Sequence, residues 1–302
     1  MAISRAQLAK ELEPGLNALF GLEFGRYENE HSEIFDEESS DRAFEEEVML
    51  GGFATAPVKS EGGAVSFDDA QETYTARYTH ETIALAFSIT EEAIEDNLYD
   101  RLASRYTKAL ARSMATTKQI KAASILNNAF LTGANVIGDG AALCSASHPS
   151  LSGTQTNLLA VAADLNETSL EQMLIDIAGF TDERGLKIAV RGTKLIIPKE
   201  LQFIAERVMN SALRSGTSDN DNNAMKNMGM LPEGAVVNHY LTDTDAYFIK
   251  TDAPNGFKYF NRAAIKTAME GDFDTGNMRF KARERYSFGV SDWRCVFGTP
   301  GA

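Results

Sequence analysis

Cysteine is scarce in this chain. There are two, Cys144 and Cys295, in 302 residues, and their separation matches no metal-ligand spacing. No disulfide framework is implied, and a reducing compartment fits. No apolar run approaches the ~18 residues of a membrane span, and the first ten residues lack the apolar core of a signal peptide. Basic residues are outnumbered, with Lys+Arg 29 against Asp+Glu 43 and a formal net charge of -14. Such a chain has no overall attraction to nucleic acid or to an anionic membrane surface. The rest is ordinary for a globular protein, 43% hydrophobic and 24% charged. The length allows one large or two smaller domains.

Glycine and proline are both missing from one long stretch, Thr90 to Leu131. These residues most disfavour a helix interior, so their absence predicts a helix. Thr90 can cap it, and Glu91 and Glu92 suit the positive end of its dipole. Apolar residues recur four apart at Ile94, Leu98, Leu102, Tyr106, Leu110 and Met114, then resume at Ala122, Ile125, Leu126, Ala129 and Phe130. The Asp96-Asn97 pair is a place to break off a first turn, and Gly133 a place to stop. Such a helix would be roughly 60 Å long. No heptad is sustained, which disfavours a coiled coil.

The first fifty residues do not read as a compact domain. Ile3, Leu8, Leu12, Leu16, Leu19 and Phe20 suggest a short amphipathic helix interrupted at Pro14-Gly15. An acidic run follows, from Glu28 through Glu47, interleaved with Phe20, Phe24, Tyr27, Ile34, Phe35 and Phe44. That is too aromatic for a disordered tail, so it reads as an arm that needs another surface. Deleting residues 1–47 should then leave a soluble core that fails to close an assembly. Val58 and Ala64 to Phe67 are strand-like around the turn Ser60-Glu61-Gly62-Gly63, and Thr73 to Ile89 is extended again. A two-stranded hairpin of this kind is marginal alone.

The loop-rich stretch after Gly133 contains Gly138-Asp139-Gly140 and then Cys144 and His148 beside Pro149. A cysteine near a histidine is the raw material of a thiol hydrolase. Here no oxyanion device or orienting group accompanies it. An α/β segment follows. Thr168-Ser169-Leu170-Glu171 matches a capping box ahead of a helix that Gly185 would end. Lys187 to Val190, Lys194 to Ile197, Val236-Val237 and Tyr247 to Ile249 read as strands, with Pro198 opening a helix and Ser215 to Asn227 as a polar loop.

The last segment has a strand of about ten residues from Met278. Arg279, Lys281, Arg283 and Arg285 share one face, and Met278, Phe280, Ala282, Glu284, Tyr286 and Phe288 the other. The basic face is either a solvated edge or a contact for the acidic arm of a neighbouring copy. Glu284 is a carboxylate on an apolar face, which must be paired, for example with Arg77, or carry a raised pKa.

In this order the elements resemble the tailed-phage major capsid proteins of the Hong Kong 97-type fold, an α+β class. Local wording resembles the Mu-type major head subunits: Gly138-Asp139-Gly140 with Leu143 and His148-Pro149, Lys194-Leu195-Ile196-Ile197-Pro198, Leu241-Thr242-Asp243, and Tyr286-Ser287-Phe288-Gly289-Val290 with Trp293-Arg294. The resemblance covers nearly the whole chain, and the order of elements carries most of it. It implies an N-arm at 1–50, an E-loop hairpin at 51–82, and a peripheral domain with its long spine helix at 83–132. It further implies an axial α/β domain at 133–260 with Ser215 to Asn227 as its tip, a peripheral β segment at 261–288, and a C-terminal strand at 289–302 returning to the axial domain.

By the same resemblance the function is a self-assembling major capsid protein, not an enzyme. Its copies form pentamers and hexamers of an icosahedral head around double-stranded DNA, touched only non-specifically. The place is the virion, after assembly in the host cytoplasm, with no membrane, metal or cofactor involved. Portal, scaffold or decoration proteins are open as further partners, and no N-terminal cleavage is expected. An encapsulin-like protein-cargo compartment is the alternative shell, and a Cys144/His148 hydrolase the alternative outside shells. Candidate inter-subunit contacts are Phe20, Phe24, Phe35, Lys59, Arg279, Lys281, Arg283 and Arg285. The type member joins subunits by a lysine–asparagine isopeptide bond assisted by a glutamate. The matching positions here are Lys59, Asn277 and Glu284. The bland readings are a solvated lysine, a turn asparagine and a paired carboxylate.

Overall fold

A computed structural model describes residues 5–90, 92–93, 99–133, 137–213, 222–272 and 274–302. In chain order the elements are α1 (Arg5–Phe24), β1 (Asp36–Ser39), β2 (Phe44–Gly51), β3 (Gln71–Thr79), β4 (Glu81–Ile89), α2 (Tyr99–Asn127), β5 (His148–Ser150) and β6 (Gly153–Gln155). There follow α3 (Glu167–Ala178), β7 (Gly192–Ile197), α4 (Gln202–Asn210), α5 (Ala224–Met228), β8 (Ala235–Val237), β9 (Tyr247–Thr251), β10 (Phe257–Gly271), β11 (Met278–Val290) and β12 (Val296–Thr299). Two four-stranded sheets organise them, ordered β1-β10-β11-β4 and β12-β9-β7-β8, with β2-β3 and β5-β6 as separate pairs.

The long helix is α2. Its 29 residues span about 44 Å. Glu92 and Ala93 are also helical, while residues 94–98, with the Asp96-Asn97 pair, lie outside the described residues. It ends at Asn127, before the expected Gly133. Asn128 Nδ2 donates to the Ser124 carbonyl at 2.8 Å, and Asn127 Nδ2 donates to that of Tyr240 at 3.1 Å. These asparagines satisfy or divert the last turn, so no glycine is needed. Its first half packs Ala103, Leu110, Ala111 and Met114 against α1 and the β10-β11-β4 sheet. Its second half sends Ala122, Ile125, Leu126 and Ala129 into the larger core under the other sheet. The shift in the apolar row marks this change of partner.

The arm differs most from expectation. α1 runs unbroken through Pro14. Proline forfeits one intrahelical bond, but Leu16 and Phe20 on the following turns are buried against α2, Phe280 and Ala282. The acidic run after it lies on its own subunit. Glu30 reaches His239 at 2.8 Å, Glu33 reaches Lys194 at 2.9 Å, and Asp36 reaches Lys250 at 3.7 Å. Glu38 meets Lys258 at 3.1 Å, and Glu47 holds the same lysine. β1 runs parallel to the start of β10. Removing residues 1–47 would therefore uncover Leu110, Met114 and Phe280 and strand Lys250 and Lys258, while Lys194 keeps Glu233. The truncated chain is not the self-standing core that the sequence suggests.

The hairpin exists, but its paired arms are β2 and β3. β4 instead joins β11. Val58 and the run 64–67, read as strands, lie in a loop without regular structure, because no partner strand reaches them within one chain. Elsewhere the helix α3 starts two residues before the expected capping box. Asn166 accepts from the Ser169 N–H at 2.8 Å and Ser169 Oγ accepts from the Asn166 N–H. It stops at Gly179, not Gly185, because Phe180 turns into the core. Lys187 to Val190 is not a strand, and Ala189 has a φ of 53°. Pro198 precedes a single tight turn before α4.

At the elbow of the arm, a short turn drops His31 into the core. Its ring meets Tyr259 at 5.4 Å and Phe288 at 5.6 Å edge-on, and its Nδ1 is buried without a partner. Burial, and then the Lys118 charge, hold this imidazole below its ordinary value. Glu37 of β1 pulls the other way. A histidine kept neutral by the fold contributes stability above about pH 6.5, and that stability is lost as pH falls through the lowered value. His31→Phe keeps the aromatic packing and cannot titrate. The variant is expected to show a smaller fall in unfolding temperature between about pH 7.5 and about pH 5 than the parent. Equal falls would remove His31 from the acid response.

Candidate functional site

Two surfaces and three packed groups carry the residues singled out in the sequence. Phe20, Phe24 and Phe35 are spent inside the subunit. Phe20 stacks on Phe24 at 5.8 Å and reaches Phe280 at 6.5 Å, while Phe35 meets Phe257 and Phe288 at 5.2 and 5.1 Å. Phe20 and Phe35 are core residues of this copy, and Phe24 packs half-buried beside Phe20. The arm elements curl back because the acidic residues between the aromatics find lysines on β7, β9 and β10.

The exposed apolar surface is elsewhere, on the loop between β2 and β3. Phe53 is 60% exposed, Val58 100%, Val65 65% and Phe67 96%. Lys59 stands in the same loop, exposed. The loop turns at Gly62, whose φ of 72° suits glycine. Its base is fixed: Arg184 Nη2 donates to the Asp69 carbonyl at 2.6 Å, and Asp68 accepts from the Ala54 N–H at 2.7 Å. Val58, Val65 and Phe67 were legible as strand formers in a hairpin that is marginal alone, and Phe53 was not singled out.

The basic row on β11 is real. Arg279, Lys281 and Arg283 are exposed and Arg285 is half-buried. Arg279 pairs with Asp272, and no other member has an acidic partner among the described residues. Across the row lie Thr82, Ala84, Ala86 and Ser88 on β4, and Ala263, Lys266 and Ala268 on β10. The surface is thus flat and positive on a subunit that is negative overall. The arm's carboxylates are already engaged at home, so the acidic arm of a neighbouring copy is not its natural partner.

On the opposite face of β11, Glu284 is 1% exposed. Lys118 of α2 meets it at 2.7 Å, and burial pushes the carboxyl up while Lys118 pulls it down. The Lys118 ammonium also sits 5.3 Å from the Phe24 and Tyr286 ring centres and 5.8 Å from that of Tyr259, where a cation is attracted to the ring faces. Arg77, the partner weighed from sequence, instead pairs with Glu46 at 3.6 Å and covers the Phe44 ring. Asn277 lies in the tight turn before β11, where its carbonyl accepts from the Asp272 N–H at 2.8 Å. It stands seven residues from Glu284, about 23 Å along a strand. One subunit therefore brings no lysine, asparagine and free carboxylate together.

The thiol alternative fails on geometry. Cys144 is buried, and burial pushes its thiol up. His148 is fully enclosed: Nδ1 bonds Asp139 at 2.7 Å, Nε2 bonds Asn157 at 3.0 Å, and the ring stacks on Trp293 at 4.5 Å. Asn157 Nδ2 in turn donates to the carbonyls of Leu143, Trp293 and Val296. This network staples the loop after α2 to the C-terminal strand and leaves the imidazole no free nitrogen. Gly138 starts that loop at φ 104°, and a Cβ there would lie 2.3 Å from the Thr75 carbonyl oxygen, so the glycine permits a close approach to β3. Among the described residues no His, Cys, Asp and Glu group is placed to hold a metal, and no helix is long and apolar enough to cross a membrane.

The sequence model of the phage capsid protein family matches residues 73–298. The chain belongs to that family. No curated protein matches the sequence. Among solved structures, the capsid of cyanophage P-SCSP1u is similar with a TM-score of 0.58 at 12% identity, over 89% of this chain and 86% of that one. The capsid of an empty GTA particle gives 0.56 at 10% identity over 91% of both chains. A virus-like particle from Pyrococcus furiosus gives 0.53 at 10% identity, over 94% of this chain and 97% of that one. The fold is the Hong Kong 97-type capsid fold, and this capsid protein is a structural shell subunit, not an enzyme.

For the capsid protein the Lys118–Glu284 pair is then a structural element. Removing one partner of a buried pair leaves a bare charge and costs about 3–5 kcal/mol, whereas replacing both by apolar groups is often neutral. Lys118→Met is expected to lower unfolding stability in urea by that amount, and Lys118→Met with Glu284→Leu to recover most of it. Losses that simply add would show that the pair is not coupled.

Proposed function

We propose that this capsid protein is a Mu-type major head subunit, closing as pentamers and hexamers into an icosahedral shell around double-stranded DNA. Its place is the virion, after assembly in the host cytoplasm, with portal, scaffold or decoration proteins as further partners. In this reading residues 1–50 are the N-arm, 51–82 the E-loop, and α2 the spine of the peripheral domain. The β12-β9-β7-β8 sheet anchors the axial domain, and of the tip read from the sequence, Ser215 to Asn227, residues 215–221 lie outside the described residues while its end is not loop but the start of α5, capped by Asn223.

The observation that carries the reading is the β2–β3 loop of a capsid-family chain. Phe53, Val58, Val65 and Phe67 have no cover within one copy, and burying each would contribute about 1.5–3 kcal/mol. A closed symmetric shell supplies that cover by laying each copy across its neighbours. The net charge of -14 suits a container whose wall must release its DNA, since strong phosphate binding would hinder movement. The basic row Arg279, Lys281, Arg283 and Arg285 is the candidate receiving surface.

Purified protein is expected to form closed shells in negative stain, with DNase-protected DNA in particles from infected or producing cells. Assembly should weaken as salt rises, because exposed charges are screened over ~8–10 Å near physiological ionic strength, and Lys281→Glu with Arg283→Glu should reduce it further. A stable monomer would sink the proposal. The likeness to a virus-like particle supports a second reading, a protein-cargo compartment, since fold alone does not separate the two. Shells holding protein and no DNA would favour it.

The cross-link has its own test. Glu284 is occupied by Lys118, so mature particles are expected to give a single monomer band on a denaturing gel. A ladder lost in Lys59→Ala or Asn277→Asp would instead establish the isopeptide bond.

A further inference from the structure

The long helix runs through an acid-free part of an acidic chain. From Arg101 to Phe130 the sequence contains no Asp or Glu, although the whole chain carries 43. The same stretch includes Arg105, Lys108, Arg112, Lys118 and Lys121. Two of these are engaged within the subunit, Lys118 with Glu284 and Lys121 with Glu81. Arg105, Lys108 and Arg112 are instead exposed on α2. Spacings of three and four put them on one side of the helix, in a ridge about 10 Å long.

Arg105 and Lys108 have no acidic partner among the described residues. Arg112 lies 3.9 Å from Glu23 of α1, and Arg26, just past the end of α1, lies 3.6 Å from the same carboxylate. One carboxylate is thus divided between two guanidiniums whose side chains are 64% and 71% exposed, and a positive charge is left over. Ala109 and Ser113, exposed between the cations, are too short to hold a bulky partner away. The ridge is also distinct from the basic row of β11. Glu284 and that row leave β11 on opposite faces, and α2 covers the Glu284 face. This half of the subunit is therefore a plate with cations on both sides.

We infer that the ridge of Arg105, Lys108 and Arg112 meets the phosphate backbone of the double-stranded DNA inside the shell. This rests on the shell reading and names where the enclosed nucleic acid touches the wall. Duplex DNA carries one charge per ~1.7 Å of its axis, so a ridge of this length faces several phosphates in any orientation. Contacts of this kind position the duplex and read no sequence. A few cations per copy also make a weak, salt-labile contact, while the net charge of -14 keeps the subunit as a whole from binding tightly. The arm's carboxylates are paired at home, so the ridge has no evident acidic partner in a second copy.

Formaldehyde cross-linking of DNA-filled particles, followed by peptide mass mapping, reads the contact. Nucleotide adducts are expected at Lys108 and not at Lys281 on the other side of the plate. Arg105→Lys keeps the charge and is expected to add a second site of adducts. Arg105→Gln with Lys108→Gln is expected to keep the parent's unfolding temperature and its yield of closed shells, because both side chains are exposed. Adducts no more frequent at Lys108 than at Lys281 overturn the inference and leave the shell reading standing. Loss of closed shells from the double variant at an unchanged unfolding temperature overturns it in favour of a protein neighbour. Parent shells that hold no DNA overturn it as well, and a parent protein that forms no shells overturns both readings.

Discussion

A lysine and a glutamate packed together decide how the half of this subunit built on the β1-β10-β11-β4 sheet is put together. Glu284 points from the middle strand of the β1-β10-β11-β4 sheet toward α2, and Lys118 comes down from α2 to meet it. Either charge alone would be expensive in that position. Their meeting fixes the helix against the sheet, both along its axis and in rotation. The rings around the ammonium belong to α1, β10 and β11, so the same charge also seats the end of α1. His31 follows one turn away, its backbone N–H donating to Gln119 beside Lys118 at 3.1 Å. Apolar packing would hold these elements together, but it is non-directional and would not choose this register.

Charge is divided between the inside and the outside of the subunit. Much of the run Glu30 to Glu47 is paired within the same copy, with Lys194, Lys250, Lys258, Arg77 and Arg42 and a hydrogen bond from Glu30 to His239. Several of these contacts are half-exposed and individually weak. Their number and the buried aromatics between them hold the arm. What this leaves over is a positive row on β11 and a mildly acidic loop between β2 and β3. Surfaces that differ in this way favour head-to-tail contact, which closes into rings when the rotation permits.

How much of this was legible in the sequence depended on how local the deciding interaction is. The helix α2 was plain, because the absence of glycine and proline acts residue by residue. The change of partner along it showed as a shift in its apolar row. The two faces of β11 were plain for the same reason, including the oddity of Glu284. Its partner was not, since Lys118 lies on an element whose rotation the sequence leaves open. The arm was misjudged because Glu33 and Lys194 are 161 residues apart, and an acidic run looks the same whether its lysines are distant or missing. The strand-like runs around Val58 and Val65 were misplaced because local propensity cannot supply a partner strand. Lys59 and most of the basic row were exposed to solvent. Phe20, Phe24 and Phe35 were not, being aromatic in a segment that folds inward.

The same limits bear on how a subunit can be stable and still assemble. A fully satisfied chain would have nothing to offer a neighbour, and a chain with large exposed patches would aggregate. This one leaves Phe53, Val58, Val65 and Phe67 uncovered along a single loop, beside other apolar residues exposed singly. The loop is tied at its base by Arg184 and Asp68, so its position is set while its tip stays uncommitted. Burying its four apolar side chains is worth several kcal/mol, about 1.5–3 each, against the cost of ordering the loop and joining two bodies. The surplus at one contact is therefore modest. In a closed symmetric shell the same contact recurs in every copy, so modest contacts add around the circuit. Contacts that are individually weak can also be broken and remade while the shell is still open. A subunit built this way relies on closure for permanence, and its own fold supplies the rigid frame, from Lys118 outward, that makes closure geometrically repeatable.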